Sequence, residues 1–252
     1  MPSIDRAREA LGQVFFQRCF YLFIGLLVLL TAALFLDPTP RGRALLNAIN
    51  LLLDISAVAA VGRSRWSFIF ATLLALPAVL FQLRALITDD DAQLLYAWIF
   101  NAALYLLTIG FLMRYVFQRD VITADKLYGA AAGYLMLAAL WAFAYSIVER
   151  LHPGSFSIGG NVVTPTFGDF LYFSVTTLTS TGFGDIVPLQ RQARALCVLQ
   201  QLTGALFLAI LIARLAGVYP PPPMRDDAAP RESSTPQFIR RLRERTRSAP
   251  PT

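Results

Sequence analysis

The residues best suited to chemistry are Thr179–Ser180–Thr181–Gly182–Phe183–Gly184–Asp185. Glycine at alternate positions lets the backbone visit positive φ at Gly182 and Gly184. Alternating left- and right-handed conformations would turn successive carbonyl oxygens to the same side. Four such strands around one axis would stack those oxygens into cages that replace the water shell of a cation. The Ser180 hydroxyl would add the innermost oxygen ring. Asp185, repeated around the axis, either rings the outer mouth with carboxylates or braces the strand from behind. A phosphate-binding loop is excluded, because no Lys-Ser/Thr pair follows the glycines.

Such a strand has to be held by neighbouring elements, and the flanking sequence supplies them. Thr164–Pro165 predicts an N-cap followed by proline at the first helical position. Phe167–Thr179 then continues as an apolar, hydroxyl-rich run of 13 residues, or about 20 Å of helix. That is too short to span a bilayer, so the segment must enter the membrane and turn back. Such re-entrance is tolerated only where protein or a water-filled cavity satisfies the backbone. A helix ending at Thr179, with Thr176 in its last turn, would point its negative C-terminal end at the axis and favour a cation there. Leu151–Val163 reads as a turn-rich outer loop, with Pro153–Gly154 and Gly159–Gly160.

The whole chain fits a membrane setting. Its 252 residues are 56% hydrophobic and 15% charged, against about 25% charged in an average soluble domain. The mean hydropathy is +0.54. A soluble fold of this size could not hide so much apolar surface. Six apolar stretches, fenced by charges, approach the length of about 20 residues that a bilayer requires. They are Cys19–Leu36, Ala44–Gly62, Trp66–Leu83, Ala92–Met113, Leu127–Val148 and Ala195–Ala213. The predicted fold is therefore an all-α membrane protein of six transmembrane helices, with the re-entrant helix and its glycine strand between the fifth and sixth. The first stretch starts too late and runs too long for a signal-peptide core.

Orientation follows from the basic residues. An inside N-terminus places sixteen Lys and Arg on inner segments and six on outer ones, so both termini are expected in the cytoplasm of an inner-membrane protein. Domain organisation reads as an N-terminal segment over 1–18, four helices over 19–126, a pore-forming part over 127–219 and a tail over 220–252. The tail opens with Pro220–Pro223 and has no core-forming pattern. It is expected to be disordered, either simply solvated or with Arg240, Arg241, Arg243, Arg245 and Arg247 against anionic lipid. Cys19 and Cys197 lie inside apolar runs, which argues against a disulfide framework.

The glycine strand also carries a family resemblance. Ser180–Thr181–Gly182–Phe183–Gly184–Asp185 resembles the T-V-G-Y-G-D signature of potassium-channel selectivity filters. The similarity runs from Phe167 to Tyr219: pore helix, filter, Pro188 shortly after it and an inner helix with Gly204 where the family often carries a hinge glycine. The chain as a whole resembles bacterial potassium channel family proteins with four helices ahead of one pore module. The resemblance implies a homotetramer that conducts dehydrated K⁺ through Ser180, Thr181, Gly182, Phe183 and Gly184, with no cofactor beyond the permeant ion and no enzymatic activity.

Departures from the signature matter for selectivity. Ser180 keeps the hydroxyl of Thr. Thr181 in place of Val adds a hydroxyl that needs a partner. Phe183 in place of Tyr removes a phenol, and the pore-helix positions that would meet it hold Tyr172 and Phe173. A weakly selective cation channel of the same fold is the alternative, and a secondary transporter a more distant one, since only one half of the chain carries a broken segment. A membrane enzyme is disfavoured by the absence of a nucleophile–base pair or ligand cluster. Gln200, Thr203, Gly204, Leu208, Ile212 and Ala216 fall near helical spacing and would line the cavity or inner gate, although Leu208 and Ile212 equally suit packing against lipid or other helices.

Ala92–Met113 contains no cation. Arg114 and Arg119 lie at or beyond its inner end, so a conventional voltage sensor is not expected. Asp54 is the one charge inside an apolar stretch, on a polar stripe with Asn47 and Asn50. It is either a proton- or cation-sensing site or part of a satisfied network with Gln82, Asn101 or an interfacial arginine. Gly129 and Gly133 form a small-residue face suited to close helix contact, and Pro77 predicts a kink. His152 reads as an ordinary outer-loop residue.

Overall fold

In the computed structural model, residues 18–36, 39–61, 65–88, 91–118 and 123–216 are described. Arg6, Arg8, Arg63, Asp89, Asp90, Arg119, Tyr219, Pro220–Pro223 and the tail arginines Arg240, Arg241, Arg243, Arg245 and Arg247 lie outside them. The described chain is mostly helical: α1 (Arg18–Phe35), α2 (Pro40–Val61), α3 (Arg65–Thr88), α4 (Asp91–Val116), α5 (Ala124–Leu151), α6 (Phe167–Leu178) and α7 (Arg191–Ala216). Four of these are long and apolar enough to cross a membrane, over Arg65–Thr88, Ala92–Val116, Ala124–Leu151 and Arg191–Arg214. The apolar parts of α1 and α2 are shorter, Cys19–Phe35 and Ala44–Ala60.

One feature departs from an all-helical fold. Strands β1 (Phe156–Ile158) and β2 (Ile186–Pro188) pair antiparallel, with Ser157 opposite Val187. They join the outer loop to the segment that leaves the glycine strand, and Gly159 N–H donates to the Asp185 carbonyl at 2.8 Å. Three-residue strands carry too short a pattern to register as alternation, so the sequence reads there as loop alone.

Packing inverts the logic of a soluble bundle. Helix α3 buries Ser67, Ala71, Ala75, Ala78 and Gln82, a stripe of mostly small residues at steps of three and four, and leaves Trp66, Ile69, Leu73 and Leu76 exposed. Small side chains let backbones approach when the surroundings are as apolar as the core. Helix α5 follows the same rule. A Cβ on Gly133 would fall 2.7 Å from the Met113 Cε, and one on Gly129 would meet Cys19, Leu112 and Val116 at 3.4–3.5 Å. Helix α3 runs through Pro77 as one element.

At the start of α5, Asp125 ties other helices together, accepting from Cys19 N–H at 3.1 Å and from the Tyr115 hydroxyl at 2.9 Å. The Arg214 guanidinium, at the far end of α7, donates to the Gln118 carbonyl at 2.8 Å.

Candidate ion-conduction site

Helix α6 positions the site, and its start corrects one expectation. Its N-cap is Thr166, not Thr164: Thr166 Oγ1 accepts from Asp169 N–H at 3.3 Å while Asp169 Oδ2 accepts from Thr166 N–H at 2.7 Å. This reciprocal box needs an acid or amide three residues after the cap. Thr166 has one in Asp169, whereas Thr164 is followed at that distance by Phe167. Close by, a Cβ on Gly168 would lie 2.9 Å from the Ala33 carbonyl oxygen, so the start of α6 rests directly on the backbone of α1.

The end of α6 sets the direction of the strand that follows. Ser180 N–H donates to the Thr177 carbonyl at 3.1 Å, and Thr181 and Gly182 N–H both donate to the Thr176 carbonyl, at 2.8 and 3.1 Å. No described peptide is cis. A trans peptide points its C=O opposite to its N–H. Tying these amides back to the helix therefore turns the carbonyls of Thr179, Ser180 and Thr181 away from it. The backbone complies by left-handed turns at alternate residues: φ is 58° at Ser180, 53° at Gly182 and 80° at Gly184. The two glycines match expectation. Ser180 is the described non-glycine residue that adopts the left-handed region, which is uncommon for a residue with a Cβ.

Side chains around the strand find partners. The Thr181 hydroxyl lies 2.8 Å from the Thr179 hydroxyl, which also donates to the Val175 carbonyl at 2.8 Å. Thr176 Oγ1 donates to the Phe173 carbonyl at 3.0 Å. Phe183 stacks on Tyr172, with centroids 6.4 Å apart and planes at 4°. Tyr172 and Asp185 interact electrostatically, and Asp185 Oδ1 accepts from Ile186 N–H at 3.0 Å. Phe173 turns the other way, into a cluster with Tyr145 and Phe156, so only Tyr172 of the expected pair meets Phe183 within the chain. Residues Ser180 through Asp185 remain exposed in the single chain.

Behind α6 lies a network that the sequence does not announce. Gln200 is fully buried; it does not line a cavity, as its helical spacing had suggested. Its Nε2 donates to the Ser174 carbonyl at 2.8 Å and to Ser174 Oγ at 2.7 Å, and its Oε1 accepts from the Tyr145 hydroxyl. Ser174 Oγ passes the chain on to the Ala138 carbonyl at 2.6 Å. Gly204, one turn below, is buried against α6: a Cβ there would lie 2.7 Å from Leu178 Cδ1 and 2.8 Å from the Leu178 carbonyl oxygen. Thr203, Leu208, Ile212 and Ala216 are exposed in the single chain. Glu149 also escaped the sequence reading. Nearly buried at the outer end of α5, it accepts from Gly154 N–H at 2.8 Å and Phe156 N–H at 3.2 Å, fixing the loop that carries β1.

Asp54 lies apart from this site. It is 0% exposed, and among the described residues neither of its oxygens has a hydrogen-bond partner. The expected network with Gln82 and Asn101 is not formed there. Gln82 Nε2 donates instead to the Asn47 carbonyl at 3.2 Å, and Asn101 Nδ2 to the Ala97 carbonyl at 3.0 Å. Each of these amides is drawn to a backbone acceptor and leaves its own oxygen unpartnered.

Residues 133–219 match the family model described as ion channel. An inward rectifier potassium channel, Kirbac3.1, of Paramagnetospirillum magnetotacticum is 35% identical over 81 residues, which make up 31% of this chain and 24% of that protein. The match thus spans about a quarter of the relative's length. No solved structure matches the chain. The family-model match falls on α5 from Gly133 onward, α6, the glycine strand and α7, and it marks these elements as an ion channel domain.

Proposed function

We propose that the ion channel domain belongs to a homotetrameric, potassium-selective channel of the inner membrane, conducting dehydrated K⁺ past the backbone carbonyls that begin at Thr179. The observation that carries this reading is the tying of the Ser180, Thr181 and Gly182 amides to the last carbonyls of α6. The same bonds aim the opposite carbonyls at a common side. One chain contributes one strand, and a closed cage of oxygens requires four. The exposed face of the strand and the exposed Leu202, Leu206 and Ile210 of α7 are the surfaces that neighbouring copies and lipid would cover. Six membrane spans, a re-entrant α6, cytoplasmic termini and anionic-lipid contacts of the tail arginines belong to the same proposal.

Gating does not follow the conventional voltage-sensor route, since the stretch Ala92–Met113 holds no Lys or Arg. Phe183 offers no phenol to bond across the filter, which favours a somewhat leakier cage as the second reading. Purified protein reconstituted into liposomes decides between them. K⁺ flux exceeding Na⁺ flux by tenfold or more, about 1.4 kcal/mol of discrimination, is expected. Equal fluxes reject selectivity, and no flux of either ion rejects the channel.

A further inference from the structure

We propose that Gln200 is a positioning residue for ion selectivity: with Tyr145 and Ser174 it pins the pore helix from behind and so holds the filter carbonyls in register. The inference rests on the conduction reading above and adds the residue that keeps its geometry fixed. Gln200 sits on α7, Tyr145 on α5 and Ser174 on α6, so one amide side chain joins all the helices of the pore module. Both ends of that amide are engaged, with Oε1 accepting from Tyr145 and Nε2 donating to the carbonyl and hydroxyl of Ser174. The Ser174 hydroxyl donates on to Ala138. The network is therefore closed, and each of its members is buried.

The location makes this more than packing. Ser174 lies one turn before Leu178, and the carbonyls of Thr176 and Thr177 between them hold the filter amides. Leu178 is gripped as well: its carbonyl accepts from the Tyr134 hydroxyl at 3.2 Å and abuts Gly204. The half-helix from which the filter hangs is thus clamped at successive turns by α5 and α7. In an apolar surrounding, polar side chains that hydrogen-bond between helices fix their relative position, and a bond lost there leaves a buried group unsatisfied. A filter that selects by oxygen geometry loses discrimination when its supporting helix can shift.

The test pairs amide hydrogen exchange with flux, on the full chain in K⁺-containing bilayers. Tyr145→Phe removes one donor without changing volume, and Gln200→Leu removes the whole link. Exchange over residues 174–182 should rise about threefold in Tyr145→Phe and up to about twentyfold in Gln200→Leu, with β1 and β2 unchanged. The K⁺-over-Na⁺ flux ratio should fall in the same order. Unchanged exchange and unchanged selectivity in both variants overturn the proposal, as does a rise spread evenly along the chain, which marks general destabilisation. Should Gln200→Leu fail to assemble, Tyr145→Phe alone decides by the same readings. Should the wild type pass no K⁺ while exchange over 174–182 still rises locally, the conduction reading falls and the clamp stands.

Discussion

Gly204 distinguishes two accounts of the inner helix, because replacing it with alanine has opposite signs under each. As a hinge in open helix, Gly204→Ala would stabilise the fold, since glycine costs a helix interior roughly 0.5–1 kcal/mol relative to alanine. The structure instead places the new Cβ 2.7 Å from Leu178 Cδ1 and 2.8 Å from the Leu178 carbonyl oxygen. Comfortable contacts begin near 3.5 Å, so α6 and α7 must separate by about 0.7 Å, and the nearest oxygen is backbone that cannot swing aside. Overpacking of this kind costs about 1–3 kcal/mol. Setting that against the propensity gain leaves a net loss of up to about 2.5 kcal/mol, centred near 1 kcal/mol, which for a chain of this size lowers the melting temperature by up to about 10 °C. Gly110 on α4, where an added Cβ meets nothing within 4 Å, is the internal control. Thermal melts of both variants in the same detergent suffice: Gly110→Ala should rise or hold, and Gly204→Ala should fall. If Gly204→Ala melts at or above the wild type, the close contact with Leu178 is not the reason for glycine there.

Three further substitutions probe the supports of the site. Thr166→Ala removes the hydroxyl half of the box that starts α6 and should cost about 0.5–2 kcal/mol, read as a lower melting temperature; an unchanged melt refutes the cap. Glu149→Ala strips the Gly154 and Phe156 amides of their acceptor at about 1–3 kcal/mol for each group left unsatisfied, and amide exchange at residues 154–158 should accelerate while that of α3 does not. Asp54→Ala removes a buried carboxyl with no partner among the described residues and leaves a good helix former, which should be neutral or stabilising by about 1–3 kcal/mol. A clear loss of stability in that variant would mean that Asp54 holds something.

What the sequence makes legible here depends on whether a residue's partner is local. The left-handed turns at Gly182 and Gly184 are legible because glycine alone adopts them freely. The turn at Ser180 is not, because it is imposed by Thr176 and Thr177 carbonyls that capture the next amides. The cap of α6 is written locally, since Thr166 and Asp169 stand at box spacing, but Thr164–Pro165 offers a competing cap and first-turn pair. The hydroxyl of Thr181 was expected to need a partner and finds Thr179. Gln200 shows the opposite case. Periodicity places it on a face of α7 but cannot say whether that face meets water or Ser174, since its partners stand 26 and 55 positions away in sequence. The β1–β2 pair escapes for the same reason, its strands joining residues about thirty apart.

Two clusters of polar residues inside the apolar helices differ in how far their hydrogen bonds are made. Across α5, α6 and α7, Tyr145, Gln200 and Ser174 form a closed chain whose polar side-chain atoms are engaged, while Trp141 Nε1 on α5 has no partner among the described residues. In the helices before α5, Asp54, Gln82 and Asn101 keep buried oxygens with no partner among the described residues. A satisfied network in a low-dielectric interior resists any rearrangement, because each bond broken exposes an unpaired group. An unsatisfied set resists less, since a rearrangement there has unpaired oxygens to gain partners for. The glycine strand thus follows a helix, α6, whose Ser174 sits in the satisfied chain. A rearrangement around Asp54, Gln82 and Asn101 would therefore meet a smaller barrier than one around Gln200.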